Sequence, residues 1–352
     1  MSGAVQLTPA VWFPAIQTGT GVDVFTRHLC ETLLARGIRA EISWLPHRAE
    51  YLPWTVAAPA APPWANIVHL NTWVHRHFIP SGLPLTATMH LCVHDPVLLP
   101  YKSLAQKLYH RFWVRPMEMH LLRRLEQLVA VSHYTAARTR ETLGWETPQV
   151  IPNGVPLSSD WADPGRFFRR KPAQAFRLLY VGNWSRRKGV DLLAPLMRQL
   201  GCGFELHYTA DAHYAQQATG LPSNCRCIGR LSQAELQQAY READTLIFPS
   251  RLEGLPLTVI EAMAQGLPVV AAASSSLPEL VVHGETGLLF APDDVARAAA
   301  CVRSLAGDPK LQAGLARRAR HQVEAHSTLE VMTDAYVALY RQLLGGGGRH
   351  GG

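Results

Sequence analysis

The sequence has little charge and no long apolar run. Of its 352 residues, 17% are charged and 47% are hydrophobic, which is typical of a packed globular protein rather than a disordered one. No apolar stretch reaches the roughly 18–20 residues that a membrane-spanning helix needs. Residues 1–10 lack a basic segment followed by an apolar run and a small-residue cleavage site. The sequence therefore predicts a cytoplasmic protein without a signal peptide.

Cysteine is scarce, and its placement argues against two kinds of site. The six cysteines are scattered without the spacing of a disulfide framework. Only Cys225 and Cys227 lie close together, and no second pair stands near enough to suggest bound zinc. An Asp-x-Asp motif, which would hold a divalent ion between two carboxylates, is absent from the sequence. We therefore expect neither a metal ion nor another cofactor.

The charge that is present is mostly positive. Lys and Arg number 34 against 27 Asp and Glu, which gives a formal net charge of +7. This balance favours anionic partners such as nucleotides or phospholipids. The basic residues form no recognisable nucleic-acid readout module, so we expect no nucleic-acid partner.

Short apolar runs alternate with helical patterns along the whole chain. This alternation is typical of parallel βα units, and it predicts α/β domains with doubly wound sheets. The predicted strands are 11–15, 40–45, 67–70, 85–90, 128–132, a short strand within 149–155, 177–181, 204–208, 225–229, 245–249, 268–272 and 288–291. The predicted helices include 22–36, 103–127, 134–143, one through about residue 200, 232–242, 257–265, one ending at 306, and 329–344.

The length suffices for two domains of about 150 residues each. A segment rich in Pro and Arg, residues 160–172, is the predicted linker. We predict an N-terminal domain over residues 1–158 and a C-terminal domain over 159–330. A C-terminal helix over 331–344, able to cross back to the N-terminal domain, and a flexible tail over 345–352 complete the prediction.

Residues 250–266, SRLEGLPLTVIEAMAQG, carry two carboxylates eight residues apart. Glu253 lies in a predicted loop, and Glu261 lies one turn into a predicted helix with its side chain leaning toward the helix N-terminus. Backbone N–H groups around the helix start would favour a diphosphate, and both carboxylates would flank one ligand. Alternatively, Glu253 is a turn residue and Glu261 a solvated helix position. The candidate binding residues here are Glu253, Gly254, Leu255, Pro256, Leu257 and Glu261.

A second group of candidates lies in residues 180–191, YVGNWSRRKGVD. A predicted strand leads through Gly182 to a basic triplet, Arg186 to Lys188, at the predicted start of a helix. Such a junction would build a cationic pocket for an anion, although an isolated basic triplet is also common on a solvated surface. The candidate binding residues are Gly182, Asn183, Arg187 and Lys188, with Arg230 as a further one.

These segments resemble the family-4 retaining glycosyltransferases of the GT-B fold. Glu253 and Glu261 match the family's E-x7-E signature, and FPSRLEGLPLTVIEAMAQGLPVVA and ELVVHGETGLLF extend the similarity over nearly the whole C-terminal half. The resemblance implies that Glu253 contacts hydroxyls of the donor sugar and that Glu261 contacts the ribose. Lys188 and the glycine after it match the family's G-R-L-x-x-x-K-G motif, whose basic residues hold the donor phosphates. Asn183 stands where that motif has Arg, so we expect Arg187 to supply the charge.

The resemblance also implies two Rossmann-like domains whose parallel sheets face each other across a cleft. The N-terminal domain would bind the acceptor and the C-terminal domain the nucleotide-sugar. The implied reaction is retaining transfer from a UDP- or GDP-sugar to a glycan or lipid-linked acceptor, in cell-envelope polysaccharide, lipopolysaccharide or glycolipid synthesis. We expect Arg187 and Lys188 to neutralise the leaving diphosphate without a metal ion. The sequence offers no carboxylate nucleophile, which favours front-face transfer.

Two further candidates lie in the N-terminal half. The loop QTGTG contains Gly19 and Gly21 ahead of a predicted helix; such glycines admit a phosphate or simply form a tight turn. The loop is similar to the glycine-rich first loop of GT-B enzymes. His90 ends a predicted strand, where ligands bind in open α/β sheets, and the family commonly has a His at this place. His94 and Asp95 are the alternative to His90, and a structural role for a lone His also stays open. The catalytic candidates are His90, Glu253, Arg187 and Lys188.

Residues 101–127 interleave basic and aromatic side chains. Such a helix either lies on an anionic membrane surface or packs one face on the core and leaves the charged face in water. For the whole chain, two other functions stay open: a nucleotide-sugar epimerase with the same two-domain design, and a non-catalytic protein that binds nucleotide-sugars.

Overall fold

The computed structural model describes residues 7–171, 174–211 and 220–345. The chain folds into two compact units, Met1–Gly154 with Leu329–Gly352, and Val155–Thr328. The sequence placed the boundary at 158/159, a few residues after this division. Residues 346–352 of the predicted flexible tail lie outside the described residues.

The first unit is built on a six-stranded sheet with the order β2-β1-β3-β4-β5-β6, and all its strand pairs are parallel. Its central strands are buried along most of their length, as expected for a parallel sheet covered on both faces. The strands are β1 (Ala10–Ile16), β2 (Arg39–Leu45), β3 (Ile67–Asn71), β4 (Leu85–Met89), β5 (Gln127–Ala130) and β6 (Gln149–Val150). The helices that follow them are α1 (Gly21–Ala35), α2 (Leu104–Tyr109), α3 (Arg115–Leu122) and α4 (His133–Leu143).

The second unit repeats this design with a parallel sheet of order β12-β11-β10-β7-β8-β9. Its strands are β7 (Phe176–Tyr180), β8 (Phe204–Tyr208), β9 (Cys225–Cys227), β10 (Thr245–Phe248), β11 (Val269–Ala272) and β12 (Leu288–Phe290). Its described helices are α5 (Leu193–Leu200), α6 (Gln233–Glu242), α7 (Leu257–Ala264), α8 (Leu277–Leu280), α9 (Val295–Gly307) and α10 (Pro309–His326).

The predicted strands are present, with ends that differ by one or two residues outside the short β6. The helix predicted over 103–127 is present but ends five residues earlier, and β5 begins at Gln127. The helical backbone runs from Leu104 to Leu122 and includes a π-helical turn, His110–Val114, before α3. Pro116 lies in the first turn of α3; because proline lacks an N–H and its ring crowds the carbonyl four residues earlier, the wider turn relieves the conflict.

Two other predictions need correction in the second unit. Residues 309–326 form helix α10, which the sequence patterns did not predict; Asp308 caps it by accepting hydrogen bonds from the first-turn amides. The basic triplet does not begin an α-helix. Arg186–Lys188 forms a 3₁₀ turn that ends at Gly189 with φ +74°, and α5 begins only at Leu193.

The last helix, α11 (Leu329–Gly345), belongs to the first unit. It packs beside α1, and its apolar face joins the core formed by α1 and β1. A buried polar chain fixes its position: His69 bonds Tyr340 through Nδ1 (2.6 Å) and Thr88 through Nε2 (2.8 Å). The Thr88 hydroxyl is also 2.9 Å from the Tyr336 hydroxyl. Burial lowers the pKa of His69 to about 3, so its imidazole is neutral.

Within the described part of the chain, we find no helix long and apolar enough to cross a membrane.

Candidate functional site

The basic triplet and the loop after β10 form one cluster in the second unit. Lys188 Nζ lies 2.7 Å from Glu253 Oε1, and Arg187 Nη1 lies 3.5 Å from the same oxygen. Ser250 Oγ donates to that oxygen as well, at 2.5 Å. The structure thus brings three of the predicted catalytic residues together around one buried carboxylate.

The charges in this cluster stabilise each other. Burial alone would raise the pKa of Glu253, but the charges of Lys188 and Arg187 and the hydrogen bonds to its carboxylate outweigh that effect and lower it. Burial lowers the pKa of Lys188, and the charge of Glu253 opposes this. Lys188 Nζ also lies 5.3 Å from the centre of the Phe248 ring, a cation–π contact. The ionised pair is therefore the state that this geometry favours.

Arg251 fixes the two loops to each other, a role that the sequence did not reveal. Its guanidinium makes a bidentate pair with Asp191 (2.7 and 2.9 Å) and also contacts Asp293 (2.6 Å) and the Arg186 carbonyl. Two further hydrogen bonds run beside it: the Arg251 amide donates to the Arg187 carbonyl at 2.9 Å, and the Arg187 side chain donates through Nη1 to the Leu252 carbonyl at 2.7 Å. Arg251 thereby positions the residues that hold the cluster.

A run of serines supports the same loop from the side of β11. Ser275 Oγ accepts a hydrogen bond from the Glu253 amide at 2.9 Å, and Ser276 Oγ donates to the Glu253 carbonyl at 3.3 Å. Ser274 Oγ donates to the Ser250 carbonyl at 2.5 Å. The sequence contained a signal for these residues, because a serine run directly after a predicted strand is suited to backbone hydrogen bonding.

Gly189 is required where the two loops approach most closely. Its φ is +74°, and a Cβ at this position would lie 2.1 Å from the Pro249 carbonyl oxygen. Gly229 has a similar φ of +75° in the same unit, but a Cβ there would meet nothing within 4 Å.

We expect Gly189→Ala to lower the free energy of unfolding by about 3 kcal/mol or more, because it adds a backbone clash to left-handed strain. Gly229→Ala should cost about 1 kcal/mol, since it suffers the strain alone. Urea denaturation of both variants measures the difference. Equal losses would show that the approach of Gly189 to Pro249 is not tightly constrained.

The other predicted residues of this unit lie around the cluster or apart from it. The Gly182 amide donates to Thr209 Oγ1 at 3.2 Å, and the Asn183 carbonyl accepts a hydrogen bond from the Tyr180 hydroxyl, also at 3.2 Å. Residues 254–257 lead from Glu253 into α7, where Pro256 is the N-cap residue and brings no capping side chain. Arg230 is 83% exposed and lies 3.7 Å from Asp211, not in the cluster.

Glu261 is held by a different set of contacts. The Tyr240 hydroxyl donates to its carboxylate at 3.0 Å, and the two residues line a small cavity of about 10 Å³. Burial raises the pKa of Glu261, and hydrogen bonds from Tyr240 and Gln233 partly offset the rise. That Glu261 and Glu253 grip one ligand stays a prediction.

The first unit has its own cavity, of about 440 Å³, at the carboxyl ends of its central strands. That size falls in the ordinary range of small-molecule sites, and the position is where open α/β sheets bind ligands. The lining residues are Ile16, Thr18, Thr20, Val22, His47, Glu50, Tyr51, Asn71, Thr72, Trp73, Val74, His90, Leu91 and Val93.

His90 lies in the wall of this cavity. Its Nε2 is 3.1 Å from Asn71 Oδ1, and its ring packs edge-on against Phe25. Burial lowers the pKa of His90 to about 3, so the imidazole is neutral near pH 7 and a weak base. Donation from Nε2 to Asn71 leaves Nδ1 as the nitrogen that accepts a hydrogen bond.

The alternative candidates, His94 and Asp95, do not line this cavity and make hydrogen bonds with other side chains. His94 Nε2 is paired with buried Glu118 at 2.6 Å, and Asp95 accepts a hydrogen bond from the Tyr134 hydroxyl at 2.5 Å. Glu118 also accepts from Trp73 Nε1 at 3.1 Å, so this pair supports a wall residue of the cavity.

The glycine-rich loop is shaped by Asp23, another residue that the sequence analysis missed. The amides of Thr18 and Gly19 donate to its carboxylate at 3.0 and 2.7 Å. Gly19 adopts φ +70°, and Gly21 is the first residue of α1. Because the Asp23 carboxylate takes two amides that a phosphate would need, this loop is arranged as a wall of the cavity.

Two α/β units, each built on a six-stranded parallel sheet, form the architecture of the GT-B fold. The structure is similar to sucrose-phosphate synthase from Thermosynechococcus elongatus, with a TM-score of 0.77, 21% identity, and coverage of 97% of this chain and 100% of that one. It is also similar to Anabaena Alr3699/HepE, solved in complex with UDP and glucose, with a TM-score of 0.70, 16% identity, and coverage of 96% and 100%. The fold is therefore GT-B.

The sequence comparisons define the family. "Glycosyltransferase Family 4" matches residues 19–159, and "Glycosyl transferases group 1" matches residues 164–322. A glycogen synthase of Mycobacterium tuberculosis (strain CDC 1551 / Oshkosh) is 31% identical over 300 residues, which cover 78% of this chain and 68% of that protein. The chain belongs to glycosyltransferase family 4.

Proposed function

We propose that this glycosyltransferase moves a sugar from a UDP- or GDP-sugar to a glycan or lipid-linked acceptor, with retention of anomeric configuration. The observation that carries the proposal is the cluster in which Lys188 and Arg187 lie beside the buried Glu253 carboxylate. Two adjacent cations beside a carboxylate match the chemistry of a sugar joined to a diphosphate. The UDP and glucose bound to the similar Anabaena protein support a nucleotide-sugar donor.

The contacts of Glu253 suggest how both parts of the donor are bound. Among the described residues, the ion pairs and side-chain hydrogen bonds of its carboxylate all fall on Oε1. Oε2 is then the oxygen that would accept hydrogen bonds from sugar hydroxyls. Lys188 and Arg187, already held beside Glu253, would donate to the diphosphate.

In the proposed reaction, the bond from the anomeric carbon to the diphosphate oxygen breaks and a bond to the acceptor oxygen forms on the same face. The acceptor proton passes to the departing diphosphate, which leaves as a nucleoside diphosphate. Negative charge grows on the leaving group, so fixed cations stabilise the transition state more than the ground state. We propose that Arg187 and Lys188 do this without a metal ion.

A donor screen tests the proposal. Thermal denaturation with UDP-, GDP- and ADP-sugars should show a rise in Tm with one donor, since a ligand that binds the native state stabilises it. With that donor, the protein should release free sugar or transfer it, with unchanged rate in EDTA and with the donor's anomeric configuration in the product.

Each other outcome contradicts a stated part of the proposal. A rate that collapses in EDTA and returns with magnesium or manganese contradicts metal independence. Epimerised sugar formed without acceptor indicates an epimerase. A rise in Tm without hydrolysis or transfer indicates a non-catalytic binding protein.

We further propose that the 440 Å³ cavity of the first unit binds the acceptor and that His90 accepts a hydrogen bond from one of its hydroxyls through Nδ1. His90→Ala should then lower the transfer rate about tenfold, the effect of losing one hydrogen bond. The pKa of about 3 predicts no step from His90 in the pH profile between about pH 5 and 8. His326→Ala, at an exposed histidine, is the control. Normal turnover of His90→Ala would remove His90 from the site.

Finally, we propose that the first unit contacts an anionic membrane. On the segment from α2 to α3, Leu104, Leu108 and Phe112 are exposed at intervals of four residues. Exposed Lys107, Arg111 and Arg115 follow the same interval. Apolar and cationic side chains arranged in this way suit the interface of an anionic bilayer.

A further inference from the structure

A second cavity of the first unit, of about 350 Å³, lies beside the π-helical turn. The 3₁₀ turn after β3 forms one wall, and the π-helical turn with α3 forms the other. The lining residues that carry charge or rings are His75, Arg76, Phe112, Trp113, His120 and Arg123. None of them lines the 440 Å³ cavity.

The charge of this cavity is of one sign. Its lining includes two arginines and two histidines and no carboxylate. Among the described residues, neither Arg76 nor Arg123 is part of an ion pair, and both are exposed. Burial lowers the pKa of His75, and the charges of Arg76, His77 and His120 lower it further. Uncompensated positive charge concentrated in a cavity favours an anion.

Aromatic rings surround the same cavity. Trp113 stacks on His75 with ring centres 5.8 Å apart and an interplanar angle of 11°, and its Nε1 donates to the Glu50 carbonyl at 3.0 Å. Trp54 packs edge-on against Trp113, and Trp54 and Phe112 are each 67% exposed. Exposed aromatic side chains beside cationic ones are typical of protein surfaces at the membrane interface, where lipid headgroups meet acyl chains.

We propose that this cavity binds the phosphate headgroup of an anionic phospholipid within a bilayer. Arg76 and Arg123 donate to the phosphate oxygens, and guanidinium groups suit this because they form paired, charge-assisted hydrogen bonds. Phe112 and Trp54 enter the interfacial layer beside the headgroup. This inference rests on the proposed membrane contact. It adds a defined binding site for one lipid headgroup to the general attraction between basic side chains and an anionic membrane.

Vesicle flotation with the full chain tests the site. The vesicles are phosphatidylcholine alone, or phosphatidylcholine with about one third phosphatidylglycerol. Arg76→Gln/Arg123→Gln is compared with Arg27→Gln/Arg341→Gln, which removes the same charge from exposed positions on α1 and α11, the helices of the other core cluster of the unit. We expect wild type to float only with anionic vesicles. The cavity pair, Arg76→Gln/Arg123→Gln, should bind these vesicles about 30-fold more weakly, which is somewhat under tenfold per arginine.

The control pair should lose less than about threefold, because remote charges act only through the screened field. Phe112→Ser should also weaken flotation, while glycerol 3-phosphate at millimolar concentration should not displace the protein from vesicles. Any of four results would overturn the site. The two variant pairs lose equal affinity, wild type binds neutral vesicles as well as anionic ones, glycerol 3-phosphate displaces the protein, or wild type does not float. Release of sugar from the donor, measured without vesicles, should be unchanged in the cavity pair, so failure here is separate from failure of the proposed transfer.

Discussion

Lys188→Met should lower kcat for sugar transfer or donor hydrolysis by about 10²–10³, the usual effect of removing one preorganised donor to a developing negative charge. Methionine keeps much of the side-chain volume over the Phe248 ring but cannot donate to a phosphate. Because the charge on the leaving diphosphate grows as the reaction proceeds, kcat should fall more than KM rises. Steady-state kinetics with the donor found by thermal denaturation measures both.

The matched control is Lys310→Met, at an exposed lysine near the start of α10. It makes the same chemical change and should leave kcat within about twofold. If Lys188→Met keeps its turnover while folded, as judged by circular dichroism, then Lys188 does not act on the leaving group and its role is structural.

The second large effect concerns stability. Lys188→Met leaves the buried Glu253 carboxylate with Arg187 at 3.5 Å as its remaining ion-pair partner among the described residues, and should lower the free energy of unfolding by about 3 kcal/mol. Glu253→Gln/Lys188→Met removes both charges and should recover about 2 kcal/mol of that loss. Urea denaturation of wild type, both single variants and the double variant gives the coupling energy. Additive losses would show that the two side chains do not stabilise each other.

The pH dependence of stability checks the same pair independently. The pKa of Glu253 is lowered in the folded protein, so its contribution is present above the unfolded value of 4.5 and is lost as the pH falls below it. As the pH falls below 4.5, the free energy of unfolding of wild type should therefore decrease more than that of Glu253→Gln. A parallel decline of the two proteins would place the carboxylate in an unperturbed environment.

Local sequence signals predicted the elements that are determined by residues close together in the sequence. Ser232 and Glu235 form the predicted capping box at the start of α6, and the alternating apolar runs predicted the strands of both sheets. The signal for α10 was present but unused: Asp308 followed by Pro309 is a typical helix start. The long helix was overextended by five residues, because no glycine or proline follows Leu122 in the sequence to mark its end.

The site was predictable only in part, because its geometry depends on loops that are distant in sequence. Spacing and resemblance led to Lys188 and Glu253, and the structure brings them together. The Arg251–Asp191 pair joins positions 60 residues apart, and no local pattern predicts which carboxylate an arginine will meet. Likewise, Glu261 bonds Tyr240 of α6, a partner 21 residues away.

The position of α11 has a consequence for how the protein is made. The first unit needs this helix, because His69 is buried and relies on Tyr340 for one of its hydrogen bonds. Yet the ribosome must first synthesise the whole of Val155–Thr328, which takes roughly 10–30 s at ordinary rates of translation. The unit whose sequence emerges first is thus completed last, and until then the core that α1 and β1 share with α11 lacks the apolar side chains of α11. Chaperone dependence during synthesis should accordingly fall on the N-terminal half.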